Sequence, residues 1–150
     1  MNLFYHSTLA GIIGAAFVNI ATYIFRFLGV KTSTPWEIGA SVFLNPGFIH
    51  TVSGVVIGLT ASVALSTAVA LVIAYVLKWT GPNQAWLKGI ICADGLGFIN
   101  LGFFMRFLDI WPQIRNEPGT NLMALTVLSI LGIIQALLLK NWQHKGIGAR

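Results

Sequence analysis

Apolar residues run through this chain in four long stretches, near residues 4–28, 51–77, 86–108 and 121–139, separated by short segments rich in Gly, Pro, Asn and Thr. A helical crossing of a bilayer needs about 20 apolar residues, so the pattern predicts four membrane spans. The turn Trp79-Thr80-Gly81-Pro82-Asn83-Gln84 is short and full of turn formers, which predicts that spans two and three are antiparallel neighbours. The loop after the first span holds Pro35-Trp36-Glu37-Ile38-Gly39-Ala40-Ser41-Val42-Phe43-Leu44. A proline start, an adjacent tryptophan and an apolar remainder predict a short helix or re-entrant turn at the membrane interface.

The polar residues that punctuate these stretches recur in order. Phe17-Val18-Asn19-Ile20 followed by Arg26-Phe27-Leu28 returns as Phe98-Ile99-Asn100-Leu101 followed by Arg106-Phe107-Leu108. Pro46-Gly47 returns as Pro118-Gly119, and Lys78-Trp79 as Lys140-Asn141-Trp142. The fold class this predicts is an all-α integral membrane protein, a four-helix transmembrane bundle built as a 2+2 parallel internal repeat. Its halves are about 1–80 and 81–150, related by an axis along the membrane normal, within a single membrane domain spanning 1–150. Asn19 and Arg26 are seven residues apart and share a helix face, whereas Asn100 and Arg106 are six apart. The shorter spacing turns Arg106 off that face unless a local bulge compensates.

Composition agrees with a lipid solvent. The chain has 150 residues, 56% of them hydrophobic and only 9% charged, with a mean hydropathy of +0.80, far from a soluble domain. Four spans leave no segment for a soluble catalytic domain. The first stretch lacks a basic leader and is expected to remain as a span. The net charge of +5 is scattered over span ends and forms no nucleic-acid-binding face. Lys78, Lys88, Lys140, Lys145 and Arg150 fall on the side of both termini, against Arg26, Lys31, Arg106 and Arg115 on the other, where Glu37, Asp109 and Glu117 accompany them. That bias predicts a multi-pass protein of the cell membrane with both termini cytoplasmic.

Small residues recur at every fourth position of the second span: Gly54, Gly58, Ser62, Ser66, Ala70 and Ala74. This stripe begins with a literal GxxxG and marks a face for close helix packing, within the chain or against another subunit. Gly11 and Ala15 in the first span, and Ala93 and Gly97 in the third, offer matching small surfaces. Asp94 is the one acidic residue inside a predicted span, near mid-depth, with Ser62 and Ser66 as expected partners. It is either a proton- or cation-binding group or a hydrogen-bonded strut between helices. Asn19 and Asn100 are expected at equal depth, as a polar clasp between the halves, and Arg26 and Arg106 near the outer ends, snorkelling to phosphates or holding an anion.

His6, His50 and His144 lie near span ends without metal-site spacing, and the lone Cys92 allows no intrachain disulfide. No catalytic motif is present, so the expectation is a protein that is not an enzyme and has no cofactor or metal. Trp36, Trp79, Trp86, Trp111 and Trp142 read as an aromatic belt.

Gly11-Ile12-Ile13-Gly14, Ala74-Tyr75-Val76-Leu77-Lys78, Leu87-Lys88-Gly89-Ile90 and Pro118-Gly119-Thr120-Asn121-Leu122 together give the chain a further likeness. It resembles a group of uncharacterised small four-span membrane proteins of Gram-positive, often spore-forming, bacteria. The resemblance covers most of the chain and implies topology and bacterial origin, with no activity to carry over.

Two functions follow as expectations. The first is a non-catalytic membrane protein acting by helix packing, as an accessory subunit or self-associating scaffold. Its partners would be membrane lipids, further copies in a homo-oligomer, or a larger membrane complex. The second is a small transporter or channel for protons or cations, with a pathway past Asp94.

Overall fold

The computed structural model of the chain describes residues 2–104, 107 and 118–147. Those residues are mostly helical, joined by turns and short irregular segments, with no strand among them. Helix α1 is Leu3–Phe27, α2 Pro35–Phe43, α3 Val52–Thr80, α4 Ala85–Gly97 and α5 Pro118–Ile147. A 3₁₀ turn, Pro46–Phe48, leads into α3, and a π-helical segment, Phe98–Phe104, continues α4. Arg106, Asp109, Trp111, Arg115 and Glu117 lie outside the described residues.

Three helices, α1, α3 and the Pro118–Trp142 part of α5, are long and apolar enough to cross a membrane. The regular part of α4 is 13 residues, about 20 Å of rise, and the π-helical segment adds seven more. The wider turns therefore begin immediately before Asn100, where the shortened Asn-to-Arg spacing calls for a bulge. At the other helix ends local chemistry decides. The side chains of Asn2 and Thr51 accept hydrogen bonds from Tyr5 N–H and Gly54 N–H, capping α1 and α3. Gly81, with φ +81°, stops α3 in a conformation that favours glycine. Lys88 Nζ donates to the carbonyls of Thr80 and Gly81, 3.2 and 2.9 Å away, placing a cation at that negative helix end.

Packing is built on small residues. All six residues of the α3 stripe are buried. Gly54 abuts the backbone of Phe48 and Ile49, and Gly58 that of Trp36. Ser62 faces Asn19, Ser66 faces Gln135, and Ala70 and Ala74 lie in the core. Gly11 packs on Thr67 of α3. The surface containing Ala93 and Gly97 finds a different mate from α3: Gly132 meets Ala93, Gly97 meets Leu128, and the Gly89 and Gly132 backbones touch. Without side chains between them the α4 and α5 backbones approach closely enough for dispersion along the whole crossing.

The ring of His6 lies 5.4 Å from that of Trp142, so the start of α1 and the end of α5 share one end of the bundle. At the opposite end Thr120 Oγ1 donates to the Lys31 carbonyl over 2.9 Å. The first end is solid, with Ile73, Leu77 and Leu139 fully buried among Ala70, Ala74 and Ala136. The outer surface is lined with exposed Ile12, Ile20, Ile24, Val56 and Ile91.

Candidate functional site

The end of the bundle near Thr120 is hollow. A chamber of about 410 Å³ opens between α1, α2, α3, α4 and α5, within the 300–1,000 Å³ range of small-molecule sites. Its wall is mostly aliphatic: Val18, Ile38, Val42, Leu65, Leu96 and Leu128 contribute, and Val69 and Leu131 lie toward the packed end. Polar groups stand toward the mouth, at Thr32, Ser33, Thr120 and Asn121, with Thr22, Ser62, Ser66 and Asn100 along the sides. No charged side chain lines it among the described residues. A more open cleft of about 390 Å³ adjoins the mouth, sharing Thr120 and Met123.

One wall is α2, and the sequence explains why it forms. Pro35 occupies the first turn, and the Glu37 carboxylate reaches back to the Thr34 N–H over 2.9 Å. The helix packs beside Gly58 and Ala61 of α3, about 9–14 Å of helical rise inward from Val52. Trp36 is buried, donating from its ring nitrogen to the Tyr23 hydroxyl over 3.0 Å, with His50 edge-on at 5.8 Å. Trp36 therefore departs from the expected belt: the Tyr23 hydroxyl and the bare Gly58 surface draw the indole inward. Trp79 and Trp86 are exposed near the ends of α3 and α4.

Glu37, 5% exposed, also accepts from Arg26 Nη1 at 2.9 Å, while Arg26 remains half exposed. Burial alone would push the Glu37 carboxyl up. The Thr34 N–H and the Arg26 guanidinium outweigh it and hold the group below its ordinary value. Arg26 is thus bound to α2, and its expected counterpart Arg106 lies outside the described residues.

Asn19 is the central polar node of this wall. Its amide nitrogen donates to Ser62 Oγ and the Ala15 carbonyl, both at 2.8 Å, and its oxygen accepts from Trp36 N–H at 3.2 Å. The expected clasp between Asn19 and Asn100 is not what these bonds make. Asn19 is satisfied within α1–α3, and Asn100, on the π-helical segment, is half-buried at the chamber wall.

Asp94 also departs from expectation. It accepts a 2.8 Å hydrogen bond from Ser129 of α5, and neither Ser62 nor Ser66 is its partner. The physical reason is the Gly89–Gly132 contact, which draws α4 onto α5 and turns Asp94 away from the serines. Ala93, Leu96, Gly97 and Asn100 of this stretch line the chamber, and Asp94 does not.

The chamber floor rests on a residue that the sequence reading passed over. Gln135 is fully buried and donates to Ser66 Oγ at 2.9 Å and Ser66 O at 3.1 Å, with Gly14 against its amide. The available signal was one amide among Ile133, Ile134, Ala136, Leu137, Leu138 and Leu139, since a polar side chain in a span faces the bundle interior. Below this knot the Ile73–Leu77–Leu139 layer leaves the chamber a dead end. Among the described residues no three His, Cys, Asp or Glu side chains gather as a metal site would require.

No protein-family model matches the chain, and no curated protein and no solved structure is recognisably similar to it.

Proposed function

We propose that this chain is a non-catalytic four-span protein of the cell membrane that binds a small apolar or amphipathic molecule within its bundle. The observation that carries the reading is the blind, aliphatic chamber, whose size suits one small ligand and whose closed floor suits holding better than conduction. In this reading the helical path Ala85–Phe104 is the third of four spans, and the bundle is a 2+2 repeat with both termini cytoplasmic. The α1–α3 and α4–α5 pairings, with one asparagine segment in the first helix of each, support that arrangement.

The geometry lends less support to two other readings. A scaffold acting through the α3 stripe would need that face free, and it is taken up by α1, α2 and the chain's own core. A cation pathway past Asp94 would need the carboxylate beside the cavity, and it pairs with Ser129 elsewhere. The test is photolabelling of the full chain in phosphatidylcholine nanodiscs with a diazirine-tagged alkane. Labelling of 35–43 and 118–131 is expected to saturate, to be displaced by unlabelled alkane and to fall in Ala124→Phe, which fills the chamber. Unsaturable labelling, spread evenly over lipid-facing residues and indifferent to Ala124→Phe, would sink the reading.

A further inference from the structure

Resting on that binding reading, we infer that Asn100 is the recognition group of the chamber and that the ligand is an uncharged single-chain amphiphile. Its hydroxyl, ester or carbonyl would meet the Asn100 amide.

The argument begins with the other polar groups of the wall. Thr22 donates to the Val18 carbonyl, Ser62 accepts from Asn19, Ser66 from Gln135, and Thr120 donates to Lys31 O. Each of these is occupied by the protein; Ser33 at the mouth, a single hydroxyl, has no side-chain hydrogen bond among the described residues. Asn100 has no side-chain hydrogen bond among the described residues, although it carries two donors and an acceptor on an apolar wall. An amide left in that setting gains most from a ligand that supplies the missing partner. The π-helical segment is the local reason it stands there: wider turns rotate Asn100 out of the α4–α5 contact that Ala93 and Gly97 make.

Charge and shape narrow the ligand. With no charged side chain on the described wall, an ion would leave water uncompensated, whereas a neutral polar group would not. Asn100 lies seven residues beyond Ala93 toward the mouth, and the aliphatic wall continues inward to Val69 and Leu131. From Thr120 to Leu131 the wall runs about 16 Å along α5. A polar head near the mouth with an apolar tail directed at the floor satisfies both ends.

The experiment adds a diazirine-tagged monoacylglycerol to the alkane probe on the same full-length protein in nanodiscs. Wild type is expected to half-saturate with the monoacylglycerol at a concentration about tenfold below the alkane, the value of one good hydrogen bond. Asn100→Leu should erase that difference while leaving alkane labelling within about twofold, which also shows that the variant folds. Asn100→Gln should restore part of it. Alkane saturation with no monoacylglycerol advantage, or an advantage that survives Asn100→Leu, overturns the role of Asn100 and leaves the binding reading standing. Saturation by neither probe in wild type overturns both.

Discussion

Two segments of near-identical pattern, Phe17-Val18-Asn19-Ile20 and Phe98-Ile99-Asn100-Leu101, meet opposite fates in this molecule. Asn19 sits in a regular helix opposite Ser62, and α2 folds back so that Trp36 N–H completes its bonds. Asn100 sits in a π-helical turn at a cavity wall with no described hydrogen-bond partner. The difference follows from what each segment has beside it. The loop after α1 is long enough to supply a helix, α2, that covers Asn19. The small surface of α4 draws it onto α5 at Gly89 and Gly132, and the next turns open toward the hollow left between α2 and α5. An asparagine on an apolar helix thus becomes a strut or an unpaired wall group according to its neighbour.

The comparison can be broken most severely at the α4–α5 crossing. Gly132→Leu would drive a side chain into the Gly89 backbone. It should cost about 3 kcal/mol or more, at the upper end of overpacking penalties, measured as unfolding free energy in mixed micelles titrated with dodecyl sulfate. A variant with wild-type stability would mean that the two helices do not meet there.

Asn19→Leu comes next. It leaves Trp36 N–H and Ser62 without their partner, and about 2 kcal/mol should be lost in the same titration, since unmade buried hydrogen bonds cost on the order of 1–3 kcal/mol each and membrane interiors often show less. The 28–51 loop should also become more sensitive to protease. Equal stability of Asn19→Leu and wild type would remove the distinction between the two asparagines.

Glu37→Gln tests the same wall electrostatically. It should weaken α2 docking by about 1 kcal/mol, because Arg26 is half exposed and solvent screens the pair. Glu37 has a folded value below its ordinary 4.5. The stabilisation it gives is therefore fully present above that value and is lost as pH falls through the depressed one. A variant retaining Trp36 as its sole tryptophan should keep constant emission from about pH 7 to 5 and shift to the red as pH falls below the ordinary 4.5. Emission that does not move on acidification, or that moves equally in Glu37→Gln, would exclude the ion pair as the latch.

The smallest effect sharpens the comparison. Asn100→Leu should change stability by less than about 0.5 kcal/mol, because it removes no protein hydrogen bond among the described residues. A loss as large as that of Asn19→Leu would show that Asn100 is also a strut.

Much of this was legible in one dimension. The lengths of the apolar stretches predicted α1, α3 and the start of α5 within three residues, while α5 runs on eight residues past 139; the period-four small residues predicted the buried face of α3, because that depends on local geometry alone. The proline start and apolar content announced α2 as a short helix. Its depth was not legible, since that rests on Trp36 meeting Tyr23 and Gly58, residues 13 and 22 positions away. Gln135 was readable as an isolated amide, but its partner Ser66 is 69 residues distant.

By itself, then, the sequence determined the solvent, the helices and which faces could pack closely, since hydropathy, helical period and side-chain size are properties of each segment. The tertiary structure decided the pairings: Asp94 with Ser129, Asn19 with Ser62, Gln135 with Ser66, and Asn100 with a cavity. In an apolar bundle nearly every helix face can pack against another, so the choice falls to a few glycine contacts and to the demand that buried polar groups find partners. The partners that Asn19, one Asp94 oxygen and the Gln135 amide nitrogen find come from segments far apart in the chain, and only the folded arrangement brings them together.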